Sequence, residues 1–146
     1  MTTLNNILQQ RTHTKFATES GTKMHARLQR IFITPDHQPD NEITAKILSN
    51  PDLRRLFDLQ SQTETPIAGT IHNRFISRRI DRMRINPESK TIEILDYKTD
   101  VNPNEFRTKY IAQIREYAEL IHKIHPDHKI ICYILWTHDF TLEKIK

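Results

Sequence analysis

The stretch IEILDYKT, residues Ile92–Thr99, decides the fold and predicts a β-strand, because it is largely apolar and β-branched before its polar end. Side chains two positions apart on a strand point to the same face. Asp96 and Lys98 therefore lie together, with Ile92 and Ile94 behind them. An acid and an amine at a sheet end form a candidate site, and the alternative is an ordinary ion pair of the kind most proteins contain.

A longer strand, predicted at 74–85, precedes this stretch and is separated from it by a short turn that contains Asn, Pro and Ser. The two strands therefore predict a β-hairpin. Apolar side chains on paired strands must share one face, which fixes the register. That register makes three cross-strand pairs: Ile85 with Ile92, Met83 with Ile94, and Asp81 with Asp96.

The opposed pair Asp81 and Asp96 would bring two carboxylates close together, because directly opposed Cβ atoms are about 5 Å apart. Two carboxylates at that distance repel each other unless a positive group lies between them. A divalent metal ion is one such group. The alternative is a charge cluster in which Lys98 and Arg79 neutralise both acids. The residues alone leave both interpretations open.

The rest of the chain predicts an α/β protein in which helices flank a sheet. Helical periodicity is present at 20–32, 43–48, 53–57 and 102–124, an edge strand at 63–67, a buried strand at 130–136 and a last strand at 140–145. His25 lies at the edge of the first apolar stripe, where a half-buried histidine is the simpler interpretation. Gln113 and Tyr117 share a face of the long helix. The apolar stripe of that helix is expected to run from Tyr110 to Ile124.

Composition narrows the possible functions of this 146-residue chain. We expect residues 1–15 to be a weakly ordered lead-in and residues 16–146 to form one domain. The net charge of +4 is compatible with binding to nucleic acid. One cysteine excludes an internal disulfide and a four-cysteine iron–sulfur cluster. No apolar run has the length of a membrane span or the character of a signal peptide, so we expect a cytoplasmic protein without membrane contact.

Five blocks of sequence together resemble the nuclease domain of the RecB/AddA group in the PD-(D/E)XK superfamily. The resemblance covers roughly residues 20–136 and is greatest to the AddA-type C-terminal nuclease domain, since the iron–sulfur relatives require four cysteines. The blocks are Gly21-x-x-x-His25, Glu64, Ile80-Asp81-Arg82, Ile94–Thr99 and Gln113-x-x-x-Tyr117. The resemblance implies a restriction-endonuclease-like core: a central mixed sheet of αβββαβ order with flanking helices.

The resemblance also implies residue roles. His25, Asp81, Asp96 and the backbone carbonyl of Tyr97 would bind Mg²⁺ or Mn²⁺, and Lys98 would orient the attacking water or stabilise charge on the phosphate. Other residues would support the site or bind DNA: Glu64, Gln113, Tyr117, Arg79 and Arg82.

The expected activity is metal-dependent hydrolysis of single-stranded DNA ends in double-strand-break repair, together with a separate helicase subunit. Two alternative functions remain open. One is an inactive nuclease-like module that binds DNA or a helicase, and the other, with weaker support, is a structure-specific endonuclease that acts as a dimer. Separately, the arginine-rich strand either contacts phosphates or is a solvated outer face.

Overall fold

The computed structural model describes residues 21–100 and 103–146. The predicted lead-in, residues 1–15, lies outside the described residues. The elements follow in chain order: α1 (21–28), α2 (Glu42–Ser49), α3 (Pro51–Leu56), β1 (Ser61–Ile71), β2 (Arg74–Asn86), β3 (Thr91–Lys98), α4 (Pro103–Ile124), β4 (Lys129–Trp136) and β5 (Thr141–Ile145).

The five strands form one mixed sheet in the order β1-β2-β3-β4-β5. Only β3 and β4 run parallel, and the other neighbours are antiparallel. Parallel neighbours need a long crossover, which α4 supplies. The prediction of an α/β protein with a central mixed sheet and flanking helices is therefore confirmed. The prediction that Pro66 lies on an edge strand is also confirmed, because β1 ends the sheet.

Helices cover both faces of the sheet, and β3 separates two apolar cores. Ile92 and Ile94 face the core under α4, while Leu95 and Tyr97 face the core under α1, α2 and α3. All of β3 between its two terminal residues is buried. A strand buried on both faces reads as a nearly continuous apolar run, which explains why Ile92–Thr99 was the clearest strand signal.

The predicted hairpin register is confirmed for its two apolar pairs, Met83 with Ile94 and Ile85 with Ile92. The ladder between β2 and β3 ends at the next pair, Arg82 with Leu95. Continuing the same register by one position sets Asp81 opposite Asp96. Beyond this point β2 pairs with β1 alone, so the two acids lie where β2 and β3 separate.

The strands β1 and β2 are irregular at the same place. Their ladder omits Glu64 and Asp81, although the pairs on either side keep one register. Glu64 has a φ of 52°, a left-handed conformation that non-glycine residues seldom adopt. Ile80 and Met83 pack in one core although their odd spacing should put them on opposite faces. The alternation of faces therefore shifts at Asp81.

One predicted helix end and one predicted core residue differ from the structure. The first helix was expected to reach residue 32, but its helical part ends at residue 28 and a turn follows. The last residue of the α4 stripe, Ile124, is exposed and not buried. The short helices α2 and α3 form as predicted, and Asn41 and Asn50 cap their N-termini. None of the described helices is both long and apolar enough to span a membrane.

Candidate functional site

Asp81 and Asp96 converge where β2 and β3 separate. Asp96 is 5% exposed, and the two carboxyl groups lie within hydrogen-bonding reach of each other. Burial and the charge of Asp81 raise the pKa of Asp96 to about 7, against the opposing effect of Lys98. Burial also acts to raise the pKa of Asp81, but hydrogen bonds with His25, Asp96 and the backbone outweigh it, so that pKa is lowered. The environment therefore moves the pKa values of the two acids in opposite directions, and Asp96 is the acid whose charged form is disfavoured.

Lys98 lies on the same face as Asp96, as predicted. Its Nζ is 3.0 Å from Oδ2 of Asp96 and donates to Oε1 of Gln113 at 3.1 Å. The same ammonium lies 4.4 Å from the centre of the Tyr110 ring. Three groups thus fix the position of the amine. Gln113 contacts the site as the resemblance implied, whereas Tyr110 was assigned only to the apolar stripe.

His25 reaches the acid pair from α1. Its Nε2 is 3.4 Å from Oδ2 of Asp81, and its Nδ1 bonds the carbonyl of Gly21 at 2.8 Å. That carbonyl can only accept, so Nδ1 carries a hydrogen, and Nε2 donates to Asp81 when the imidazole is protonated. The hydrogen bond with Asp81 raises the pKa of His25 despite its burial. Gly21 also permits a close approach, because a Cβ there would lie 3.0 Å from Oγ1 of Thr99.

Tyr97 links the acid pair to the core through its backbone and its ring. Its N–H donates to Oδ2 of Asp81 at 2.8 Å. The N–H and C=O of a strand residue face the same neighbouring strand, so the Tyr97 carbonyl lies on the Asp81 side of β3, where the resemblance places a metal ligand. The ring is fully buried and lies edge-on to His25, with 5.4 Å between ring centres.

Arg82 is not a phosphate-binding residue in this structure, and that prediction is wrong. Its side chain is 1% exposed, so it belongs neither to a DNA surface nor to a solvated outer face. The guanidinium donates to four oxygens: Tyr97 Oη, Ser61 Oγ and the carbonyls of Leu28 and Ile31. It also lies over the rings of Phe57 and Phe32. The Leu28 carbonyl is at the end of α1 and the Ile31 carbonyl follows the turn after it, so Arg82 secures the C-terminal end of the helix that carries His25.

Arg79 is exposed, and none of the described residues forms a hydrogen bond or ion pair with it. The charge cluster in which Arg79 neutralises Asp81 is therefore not formed. The shift of faces at Asp81 explains the difference, because the simple alternation that grouped Arg79 with Asp81 does not hold there. Arg78 is also exposed and lies close enough to the Tyr117 hydroxyl to affect its pKa.

Glu64 and Tyr117 flank the acid pair without bonding to it. Glu64 is opposite Asp81 in the β1–β2 register, and its charge reaches the Tyr97 hydroxyl, yet no hydrogen bond joins it to any residue that the structure describes. Tyr117 is buried in the core, where burial and then the charge of Asp96 raise its pKa. Its position is that of a core aromatic which supports the site, and not of a residue that lines a DNA path.

The donor set at this site has the chemistry of a site for a hard divalent cation: two carboxylates, a backbone carbonyl and one imidazole nitrogen. The three side chains are not spaced as a preformed cluster, however. Within the described ranges, no three His, Cys, Asp or Glu side chains are grouped to hold a metal ion. In this structure the ammonium of Lys98, 3.0 Å from Oδ2, is the positive partner of Asp96, and a cation bound by Asp96 would replace it.

Comparison of the chain with protein-family models and with curated proteins found no match. The resemblance to the RecB/AddA nuclease group therefore rests on the five sequence blocks and stays a prediction.

Proposed function

We propose that this protein is a metal-dependent DNA nuclease with a restriction-endonuclease-like core, which hydrolyses phosphodiester bonds at single-stranded DNA ends. One observation carries the proposal. Two carboxylates from neighbouring strands, Asp81 and Asp96, converge beside the amine of Lys98 and the imidazole of His25. A cluster of perturbed acids and bases at a strand end is typical of catalytic sites.

In this proposal Asp81, Asp96, His25 and the Tyr97 carbonyl hold Mg²⁺ or Mn²⁺. Such an ion, when bound, lowers the pKa of a water and neutralises charge on the phosphate. Lys98 orients the attacking water or stabilises the phosphate, and Gln113 holds Lys98 in place. Glu64 supports waters around the ion.

The proposed substrate also accounts for the exposed cations of β2. Neither Arg78 nor Arg79 forms an ion pair with any described acid, and both side chains are exposed to solvent, where they can contact phosphates; Arg78 also donates to the carbonyl of Ser77. Phosphate contacts carry no sequence information, which fits a nuclease without a recognition sequence. A role in double-strand-break repair with a separate helicase subunit belongs to the same proposal and follows from the resemblance alone.

The affinity for Mn²⁺ is expected to decrease as the pH is lowered below about 7, by at least about tenfold per pH unit. Above about pH 7 the affinity is expected to be constant. The reason is that the raised pKa of Asp96 keeps a proton on the ligand that the ion must displace, and the raised pKa of His25 adds a second proton. Isothermal titration of Mn²⁺ between about pH 5 and pH 8 measures this dependence. An affinity that does not change with pH would contradict the assignment of both ligands.

The proposal is tested with labelled single-stranded DNA and Mg²⁺ or Mn²⁺. The native chain is expected to cleave the DNA, and Lys98→Ala to lower the rate by about a hundredfold or more. The matched control is Lys129→Ala at the start of β4, an exposed lysine at the other end of the sheet whose side chain has no partner among the described residues. Equal cleavage by the native chain and Lys98→Ala would refute the role of the amine.

A second candidate function is a binding module without catalysis. It is favoured by the ion pair between Lys98 and Asp96 and by the lack of a preformed three-ligand group among the described residues. Calorimetry separates the two candidates. A nuclease binds Mn²⁺ in a manner that depends on Asp81 and Asp96, whereas a binding module takes up no ion at this site.

A further inference from the structure

Four large apolar side chains are exposed among the described residues: Leu59, Phe75, Phe106 and Ile124. Phe106 is the one that contacts the candidate site. Its ring centre is 6.1 Å from that of Tyr110, and Tyr110 in turn holds the ammonium of Lys98. Phe106 is 40% exposed, so part of its ring is available to a ligand.

The Phe106 ring stands on a rigid base. Tyr110 packs against the buried Trp136, with 6.1 Å between the ring centres, and donates its hydroxyl to Oδ2 of Asp100 at 2.5 Å. Trp136 donates its indole N–H to Glu143 at 2.9 Å. Because these contacts already fix the aromatic side chains, little side-chain conformational entropy is lost when a flat ligand stacks on the ring.

Phe106, Tyr110, Gln113 and Tyr117 share one face of α4, because their spacings are four, three and four residues. This face runs from the buried acid pair to solvent. Phe106 and Gln113 are seven residues apart, which is about 10 Å along a helix. That distance is the length of about three stacked nucleotides of one strand. Lys109, on the same part of the helix, is exposed and has no partner among the described residues.

We infer that Phe106 is a stacking platform for an unpaired nucleobase about three nucleotides from the scissile phosphate, with Lys109 beside it to contact the backbone. The inference rests on the proposed nuclease function and assigns to it a specificity residue. Stacking needs a base whose face is free, so the platform favours single-stranded over duplex substrate. A base in a continuous duplex already stacks on its neighbours.

The test measures binding apart from cleavage, with Asp96→Asn as the parent protein. The affinity for a labelled deoxythymidine oligonucleotide is measured by fluorescence anisotropy. The measurement is repeated with a single abasic site placed at each position of the oligonucleotide in turn. In the parent, abasic sites at one or two adjacent positions are expected to weaken binding about five- to twentyfold. Phe106→Ala should weaken binding of the intact oligonucleotide by a similar factor and abolish the dependence on position. Phe106→Tyr should restore both.

Matched controls are Phe75→Ala, an aromatic ring that is 71% exposed, and Ile124→Ala at the far end of the same helix. Phe75 is six strand residues from Asp81, which is about 20 Å. Both controls are expected to leave the position profile unchanged. An unchanged affinity in Phe106→Ala, the same loss in Phe75→Ala, or a parent that does not bind the oligonucleotide would overturn the inference.

Failure of the nuclease proposal gives a different result. In that case the native chain does not cleave DNA with either metal ion, while the abasic-site profile still reports whether Phe106 stacks a base.

Discussion

Asp96→Asn is expected to lower metal-dependent cleavage by at least about a thousandfold while the free energy of unfolding stays the same or rises. Asparagine has the same shape as the protonated acid. Its amide can donate to Asp81 and accept from Lys98, so the local hydrogen bonds survive. It cannot supply the negative oxygen that a divalent ion requires, and it removes the cost of ionising a buried acid.

The separation of activity from stability is what identifies Asp96 as a functional residue. Cleavage rates on single-stranded DNA and urea unfolding of the same preparations measure the two quantities. Asp58→Asn is a suitable control, because Asp58 is a partly buried acid that binds Arg84 away from the site. The control should lose stability and keep its activity. Retained activity in Asp96→Asn would show that the acid pair does not serve cleavage.

Arg82→Ala is expected to lower the free energy of unfolding by at least about 3 kcal/mol. The substitution leaves four acceptors without their donor: the Leu28 carbonyl, the Ile31 carbonyl, the Ser61 hydroxyl and the Tyr97 hydroxyl. It also removes a cation from between two aromatic rings and opens a cavity in the core. Since α1 carries His25, affinity for Mn²⁺ should fall as well.

The neighbouring Arg79 provides a matched control for this prediction. It lies on the same strand and carries the same charge, but it is exposed and has no partner among the described residues. Arg79→Ala should change stability by no more than about 0.5 kcal/mol. Equal destabilisation by the two substitutions in urea unfolding would contradict the role assigned to the Arg82 network.

The centre of the fold was predictable because its signals are local. The β3 stretch is buried on both faces, so its apolar run identified the strand within one residue at each end. The hairpin register followed from matching the apolar faces of two strands joined by a short turn. The same register predicted that Asp81 and Asp96 lie close together. Lys98 beside Asp96 needed only the two-residue repeat of a strand.

What the sequence could not reveal depends on distant contacts. In the sequence, Arg82 cannot be told apart from the exposed arginines of the same strand. Its burial is explained by the packing of α1 and Phe57 against β2. The shift of faces at Asp81 lies opposite the left-handed backbone of Glu64 on β1, and neither irregularity has a signal in the sequence. Tyr110 carried a weak signal, since it precedes Gln113 by three residues on a helix, but the apolar stripe accounted for it equally well.

The central claim is that Asp81 and Asp96 together bind a divalent cation. It is tested most directly by crystals grown with Mn²⁺ and measured for anomalous scattering. The account predicts one strong peak within about 2.0–2.3 Å of a carboxylate oxygen of each acid, with Nε2 of His25 turned toward it and Lys98 moved off Asp96. Crystals in which Lys98 still pairs with Asp96 and no ion lies between the carboxylates would contradict it.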